Sequence, residues 1–162
     1  MSGGPIGLIG LGLLGGAVAD RLRERGLAVL GFDVDADRRA DAAARGVELA
    51  EGPAPVIARC GVTILSLPDG EVVGRVLDAI EPHLAPGRTV IDTTTASPEQ
   101  MQAHAARLQR WGAAFVEAEV AGSSAQLRRG EALLLVAGAA EDVAACREVL
   151  DALATRVRYV GP

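Results

Sequence analysis

The sequence contains no lysine: all 16 basic residues are arginine. Chemistry that needs a lysine as base, acid or Schiff-base partner is excluded on this chain. Aromatic residues are nearly as scarce. Phe32, Trp111, Phe115 and Tyr159 are the whole set, too few for a platform on which nucleic-acid bases stack. Basic charge is in deficit, 16 against 21 acidic residues for a net charge of −5. That balance speaks against nucleic acid or an anionic membrane surface as a partner. The two cysteines, Cys60 and Cys146, form no C-x-x-C pair. They read as fillers of small apolar sites in a chain suited to the reducing cytoplasm, and no metal site is expected. No apolar run approaches the roughly 20 residues that a membrane-spanning helix requires. Residues 1–19 carry no charged side chain and end Ala17-Val18-Ala19, which looks like a secretory leader. No Lys or Arg precedes the apolar stretch and seven glycines interrupt it, so it is expected to be structural.

What remains is an ordinary globular chain. Its 162 residues suit one domain, residues 1–162, and 49% hydrophobic against 23% charged residues can bury a real core. With so few aromatics, that core must be built from Ala, Val, Leu and Ile. Short β-type runs alternate with helical patterns throughout. Residues 5–10 form an apolar run. Residues 13–25 read as a helix with Leu14, Val18 and Leu22 on one face, closed by Gly26. Residues 27–33 are a second strand, and residues 35–45 a short charged helix closed by Gly46. Residues 47–49 form an edge strand or none, and residues 53–60 one to two helical turns. Residues 62–67 are a strand, after which Asp69 caps a helix whose core face is Val73, Val76, Leu77 and Ile80. Residues 89–92 follow a Pro86-Gly87 turn.

Ser97-Pro98-Glu99-Gln100 is a helix start: a capping serine, proline at the first helical position, and Gln100 three residues after the cap. Met101, Ala105 and Leu108 give that helix its face, and Gly112 stops it. Residues 113–118 and 132–137 are strands. Residues 140–150 are helical, with Val143, Arg147 and Leu150 in step, and residues 155–160 close the pattern. His83 and His104 read as surface histidines. Repeated strand–helix units with continuous apolar strands predict an α/β, Rossmann-type, doubly wound and mostly parallel sheet with helices on both faces.

The strongest motif is the G-x-G-x-x-G of Gly10, Leu11, Gly12, Leu13, Leu14 and Gly15. Its context carries it, because it follows a strand and opens a helix. Gly10 permits a tight turn, Gly12 lets the backbone approach a pyrophosphate, and Gly15 lets the helix pack on the strand. The helix start then offers free N–H groups to phosphates. Asp33 ends the second strand 23 positions after Gly10, close to the spacing of the acidic residue that binds an adenosine ribose. A carboxylate there would repel a 2′-phosphate, so NAD is expected over NADP. Asp33 as a mere helix cap is the alternative, Asp35 competes for either job, and Arg38 or Arg39 would weaken the preference by reaching a 2′-phosphate.

Residues 6–19, IGLIGLGLLGGAVA, resemble the G-x-I-G-L-G-x-M-G-x-x-M-A opening of the β-hydroxyacid dehydrogenases, the family of 3-hydroxyisobutyrate dehydrogenase. Leu65-Ser66-Leu67-Pro68-Asp69 is similar to its M-L-P loop. Residues 91–98, IDTTTASP, are similar to its I-D-x-S-T-x-x-P. Glu117-Ala118-Glu119-Val120-Ala121-Gly122-Ser123-Ser124 lies where the family has D-A-P-V-S-G-G, and residues 130–138 resemble its G-x-L and V-G-G. The resemblance implies that Leu67 and Pro68 pack near the adenosine and nicotinamide ribose and that Thr95 contacts the nicotinamide end. It implies a small carboxylate-bearing substrate near Gly122, with Ser123 and Ser124 presenting a hydroxyl or N–H groups to it. The family serine is Ala121 here, its proline Glu119 and its aspartate Glu117. Glu117 and Glu119 face one side of a strand; they are weighed as an acid/base pair and as a solvated strand end.

The family's acid/base lysine lies on a C-terminal helical domain, and Tyr159-Val160-Gly161-Pro162 resembles the start of that junction. No catalytic residue is therefore expected on this chain. The expectation is an N-terminal cofactor domain with little turnover of its own, from an enzyme that associates into homo-oligomers through its C-terminal domain. Such an enzyme transfers a hydride between NAD and a small hydroxy acid or its carbonyl counterpart. An imine or ketone reductase, or a standalone NAD-binding redox-sensing module, are the alternative readings.

Overall fold

The computed structural model describes residues 4–162; residues 1–3, the start of the glycine-interrupted opening, lie outside them. Eight strands form one sheet in the order β3-β2-β1-β4-β5-β6-β7-β8. They are β1 (Ile6–Ile9), β2 (Val29–Phe32), β3 (Glu48–Leu49), β4 (Val62–Leu65), β5 (Thr89–Asp92), β6 (Ala114–Ala121), β7 (Leu133–Ala137) and β8 (Arg156–Gly161). The first six run parallel, β6 and β7 pair antiparallel, and β7 and β8 are again parallel. The sheet is thus doubly wound and mostly parallel, as the strand–helix alternation predicts.

Helices cover both faces. On one, α1 (Leu13–Glu24), α6 (Ser124–Arg128), α7 (Ala140–Ala145) and α8 (Arg147–Leu153) bury Val18, Leu22, Leu127, Val143, Val149 and Leu153 against Leu8, Ile64 and Leu134. On the other, α3 (Pro53–Arg59), α4 (Gly70–Ile80) and α5 (Pro98–Gln109) bury Ile57, Val73, Leu77, Met101 and Leu108 against Ile9, Leu30, Leu65 and Val90. A short α2 (Ala36–Ala44) links β2 to β3 and buries only Ala42. Fully burying each large aliphatic side chain is worth roughly 1.5–3 kcal/mol, so the two layers are held mainly by aliphatics, with Phe115 buried and Phe32 packed against the second layer. Among the described residues no helix is long and apolar enough to cross a membrane.

The helix starts follow their sequence signals. The Asp69 carboxylate accepts from Val72 N–H at 2.8 Å, and Ser97 with Gln100 forms a reciprocal capping box. Both cysteines are buried and free, and burial pushes each thiol up to about 11, so neither is nucleophilic near neutral pH.

Three expectations need correction. The helix of residues 140–150 breaks at Cys146, whose backbone departs from helical geometry. Arg147 consequently lies outside the buried face and pairs with Asp151 at 2.8 Å, while Val149 takes the inward position. His104 is buried between α4 and α5, with Nε2 3.1 Å from the Gly70 carbonyl, because α5 turns that side toward the tight α4 start. Val76 packs half-buried against the core, as expected, and also lines an open cleft, since α4 carries apolar residues on two faces.

Candidate functional site

β1 lies between β2 and β4, so the chain leaves β1 to one side and later crosses to the other. That reversal opens a crevice at the carboxyl ends of the strands, the place where open α/β sheets take ligands. A cleft of about 750 Å³ stands there, bounded by the β1–α1 turn, the end of β2, the loop after β4 and one face of α4.

The three motif glycines have different jobs. Gly10 has φ of +98°, and a Cβ on it would lie 2.1 Å from the Ser66 carbonyl oxygen. A Cβ on Gly15 would lie 2.0 Å from the Gly10 carbonyl oxygen. Both glycines are thus required by the fold, where α1 is pressed against the end of β1. Gly12 is different: the nearest atom to its Cβ position is Arg38 NH1 at 3.4 Å, the tip of a flexible side chain. Gly12 is therefore bare toward the cleft, and it is the N-cap of α1 with no side chain satisfying the helix start. The open N–H groups and the positive helix end suit phosphate oxygens.

Asp33 is 5% exposed at the end of β2. One carboxylate oxygen accepts from Leu11 N–H at 2.7 Å and the other from Asp35 N–H at 2.9 Å. It braces the glycine turn from the neighbouring strand. Capping of α2 falls to Asp35, which accepts from the N–H groups of Asp37 and Arg38. The two basic neighbours also separate. Arg39 NH1 donates to the carbonyls of Asp33 and Val34 at 2.6 and 3.0 Å, which ties it to the backbone. Arg38 is half-exposed, 3.7 Å from Asp33 and 3.6 Å from Asp35, and reaches over the cleft.

Of the motif residues, Gly10, Gly12, Leu13, Leu14, Gly15, Asp33, Leu67 and Pro68 line the cleft. Leu11 does not: its side chain is buried against Gly31 and its N–H is held by Asp33. Leu13 and Val34, at 79% and 87% exposure, form apolar lips. Sequence reasoning missed Val72, Arg75 and Ala79 on the cleft face of α4. Their signal was a second stripe at spacings of three and four beside the core stripe Val73, Leu77 and Ile80.

The far half of the carboxyl edge is built from β5 and β6. Asp92 ends β5 fully buried; it accepts from Thr94 N–H at 2.8 Å, and its Oδ2 meets no partner among the described residues. Burial pushes its carboxyl up to about 6, the Thr94 hydroxyl and N–H oppose the rise, and Glu117 adds to it. Glu117 is its register neighbour on β6, raised in turn by burial and by Glu119. Thr94 is buried and Thr95 exposed. Gly122, at φ of +152°, follows the last residue of β6. Ser123 caps α6 in a box with Gln126, its N–H donating to Gln126 Oε1 and its Oγ accepting from Gln126 N–H. The S-x-x-Q spacing at 123–126 was the overlooked sign of this helix. Thr95, Gly122, Ser123 and Ser124 stand outside the 750 Å³ cleft.

A family model described as the NAD binding domain of 6-phosphogluconate dehydrogenase matches residues 5–161. Mitochondrial 3-hydroxyisobutyrate dehydrogenase of Mus musculus is 29% identical over 160 residues, covering 97% of this chain and 48% of its own length. The solved 3-hydroxyisobutyrate dehydrogenase of Mycobacterium tuberculosis with L-serine superposes with a TM-score of 0.94 at 27% identity, over 98% of this chain and 54% of that one. A Streptomyces aurantiacus imine reductase superposes with a TM-score of 0.91 at 26% identity, over 97% and 55%. The chain thus spans about half the length of the relatives it matches.

Proposed function

The chain belongs to the family of the NAD-binding domain of 6-phosphogluconate dehydrogenase, and from that premise we propose that it is the cofactor half of an NAD-dependent dehydrogenase. The parent enzyme would interconvert a small hydroxy acid and its carbonyl counterpart, as the relatives' names suggest. One observation carries this reading. Gly12 is bare toward a 750 Å³ cleft at the strand reversal, with Asp33 fixed at the end of β2.

These residues fit a dinucleotide. The α1 start would hold the pyrophosphate through Gly12, Leu13 and Leu14. The Asp33 carboxylate has remaining lone pairs for ribose hydroxyls and repels a 2′-phosphate, which favours NAD over NADP. Val34 and the Val72–Val76 stripe of α4 offer apolar walls to the adenine. Leu67 and Pro68 line the cleft, and Thr95, exposed outside it, would offer a hydroxyl toward the nicotinamide end. When bound, the nicotinamide supplies the redox chemistry. The acid/base group would come from the part of the parent that this chain does not span, since no lysine is available. Gly122 and Ser124 are the groups offered to a substrate carboxylate. Ser123 keeps a share in this through its hydroxyl hydrogen, although its N–H and one lone pair are committed to the helix cap. The buried free thiols suit a cytoplasmic setting, and homo-oligomers would form mainly through the remainder of the parent.

Calorimetric titration of the pure chain with NADH and with NADPH tests the reading. Saturable binding with NADH preferred is expected; tighter NADPH binding overturns the role of Asp33. A second reading, an imine or ketone reductase, is favoured by Ala121 standing where the hydroxyacid family has serine. Turnover of a cyclic imine but not of a hydroxy acid by the full-length parent would select it.

A further inference from the structure

The loop after β4 walls the cofactor cleft, and the loop after β5 lies behind it, tied to it through a buried carboxylate. The Asp92 carboxylate accepts the Thr94 N–H at 2.8 Å. The Thr94 hydroxyl oxygen in turn accepts the Leu67 N–H at 3.1 Å, and Leu67 lines the cleft. Thr93 adds a parallel tie, its N–H and hydroxyl both donating to the Leu65 carbonyl at 2.9 Å. The other Asp92 oxygen is buried with no partner among the described residues. Satisfied buried carboxylates are the rule, so this one asks for an explanation beyond packing.

We propose that Asp92 is a positioning residue for the nicotinamide end of the cleft, whose carboxyl, paired across the sheet with Glu117, sets the Thr94–Leu67 link between the two loops. The inference rests on the NAD-binding reading for its consequence, but the link itself does not. In parallel strands, register neighbours point to the same face, so Asp92 and Glu117 stand side by side. Two like charges there are unfavourable, and among the described residues no cation opposes them: the charge acting on Asp92 is Glu117. The register neighbour on β4 is Leu65, uncharged. On α5, which packs over β6, His104 is held by the Gly70 carbonyl and Arg107 by Asp78 and Glu81. On α7 the facing group is another carboxylate, Asp142.

The ionised Asp92 accepts the Thr94 N–H more strongly than the neutral acid does, because charge-assisted hydrogen bonds are the stronger ones. Protonation therefore loosens the link, and the cleft wall at Leu67 follows.

The test uses the ¹⁵N-labelled chain between pH 5 and 8, together with calorimetric titration by NADH. In the cofactor-free protein the Thr94 and Leu67 amide signals should shift together with a midpoint near 6. NADH affinity should weaken about fivefold from pH 7.5 to 5.5, the difference between a charged and a neutral hydrogen bond. Asp92→Asn retains an acceptor for Thr94 but cannot titrate. It should leave both amides still across this range and give a flat affinity profile at the low-pH level of the unsubstituted chain. Thr94→Val should leave the amide at position 94 titrating while Leu67 stops following it. This second variant keeps the test decisive if Asp92→Asn fails to fold. Amides that do not titrate together, or an unchanged pH profile in Asp92→Asn, overturn the proposal. If NADH fails to bind at any pH, the NAD reading falls, while the amide titration still judges Asp92.

Discussion

The two halves of the sheet's carboxyl edge are finished to different degrees. At β1, β2 and β4, glycine contacts, the Asp33 brace and the α4 stripe converge on one cleft. Beyond β5 and β6, Thr95, Gly122 and Ser123 are exposed, Ser124 is half-buried at the start of α6, and Ser123 is occupied as a helix cap. One half is a preformed cleft, and the other is a set of groups that, among the described residues, converge on no common cavity.

The sharpest way to break this contrast is within the glycine turn. Gly15→Ala sets a methyl 2.0 Å from the Gly10 carbonyl oxygen, and no rotamer relieves a backbone clash. We expect destabilisation of roughly 3 kcal/mol or more, read as a fall in the midpoint of urea unfolding. Gly12→Ala should do the opposite. Its methyl meets only the Arg38 tip at 3.4 Å, so the melting temperature should hold while NADH affinity falls at least about tenfold, roughly 1.4 kcal/mol. Equal loss of stability in the two variants would erase the distinction between fold-making and ligand-facing glycines.

Asp33→Ala strips the acceptor from the Leu11 N–H and should cost about 1–3 kcal/mol of stability together with NADH binding. Asp33→Asn should recover most of the stability, and binding only in part.

On the other half the pH dependence has a definite sign. Asp92 rises from 3.8 to about 6 on folding, so between those values the native chain holds a proton that the unfolded chain has released. This group's penalty is absent below about pH 4, grows with pH and is complete above 6. Asp92→Asn should therefore stabilise the chain by about 3 kcal/mol at pH 7.5 and by about a third of that at pH 4.5, in parallel thermal melts. The smallest effect is expected at Ser123→Ala, about 1 kcal/mol from the lost cap with NADH affinity unchanged.

Much of the finished half could be read directly in the chain. The apolar run of β1, the spacing of Gly10, Gly12 and Gly15, and Asp33 at the end of β2 are local signals that imply geometry. The caps at Asp69 and Ser97 were legible for the same reason. The unfinished half was harder. Nothing in an apolar run such as residues 132–137 distinguishes parallel from antiparallel pairing, so the reversal of β7 against β6 was not legible. Periodicity reports the dominant face of a helix and hides a second one, which is why the cleft face of Val72, Arg75 and Ala79 is not legible beside the core stripe. The burial of His104 and the break at Cys146 depend on neighbours distant in sequence, Gly70 and the two helix directions, which no local pattern encodes.

The outer strand β8 has a further consequence, for handling the protein. It pairs with β7 on one side, its Tyr159 hydroxyl anchored to the Gly138 carbonyl, and no described strand pairs with its other side. An open backbone edge is a template for strand addition. Arg156 and Arg158 alternate along it, so two copies approaching edge to edge bring like charges together. At 1 M salt the screening length falls to about 3 Å, and that repulsion disappears. Light scattering of this chain should therefore begin to climb on concentration in high salt, and stay flat at the same protein concentration in dilute buffer.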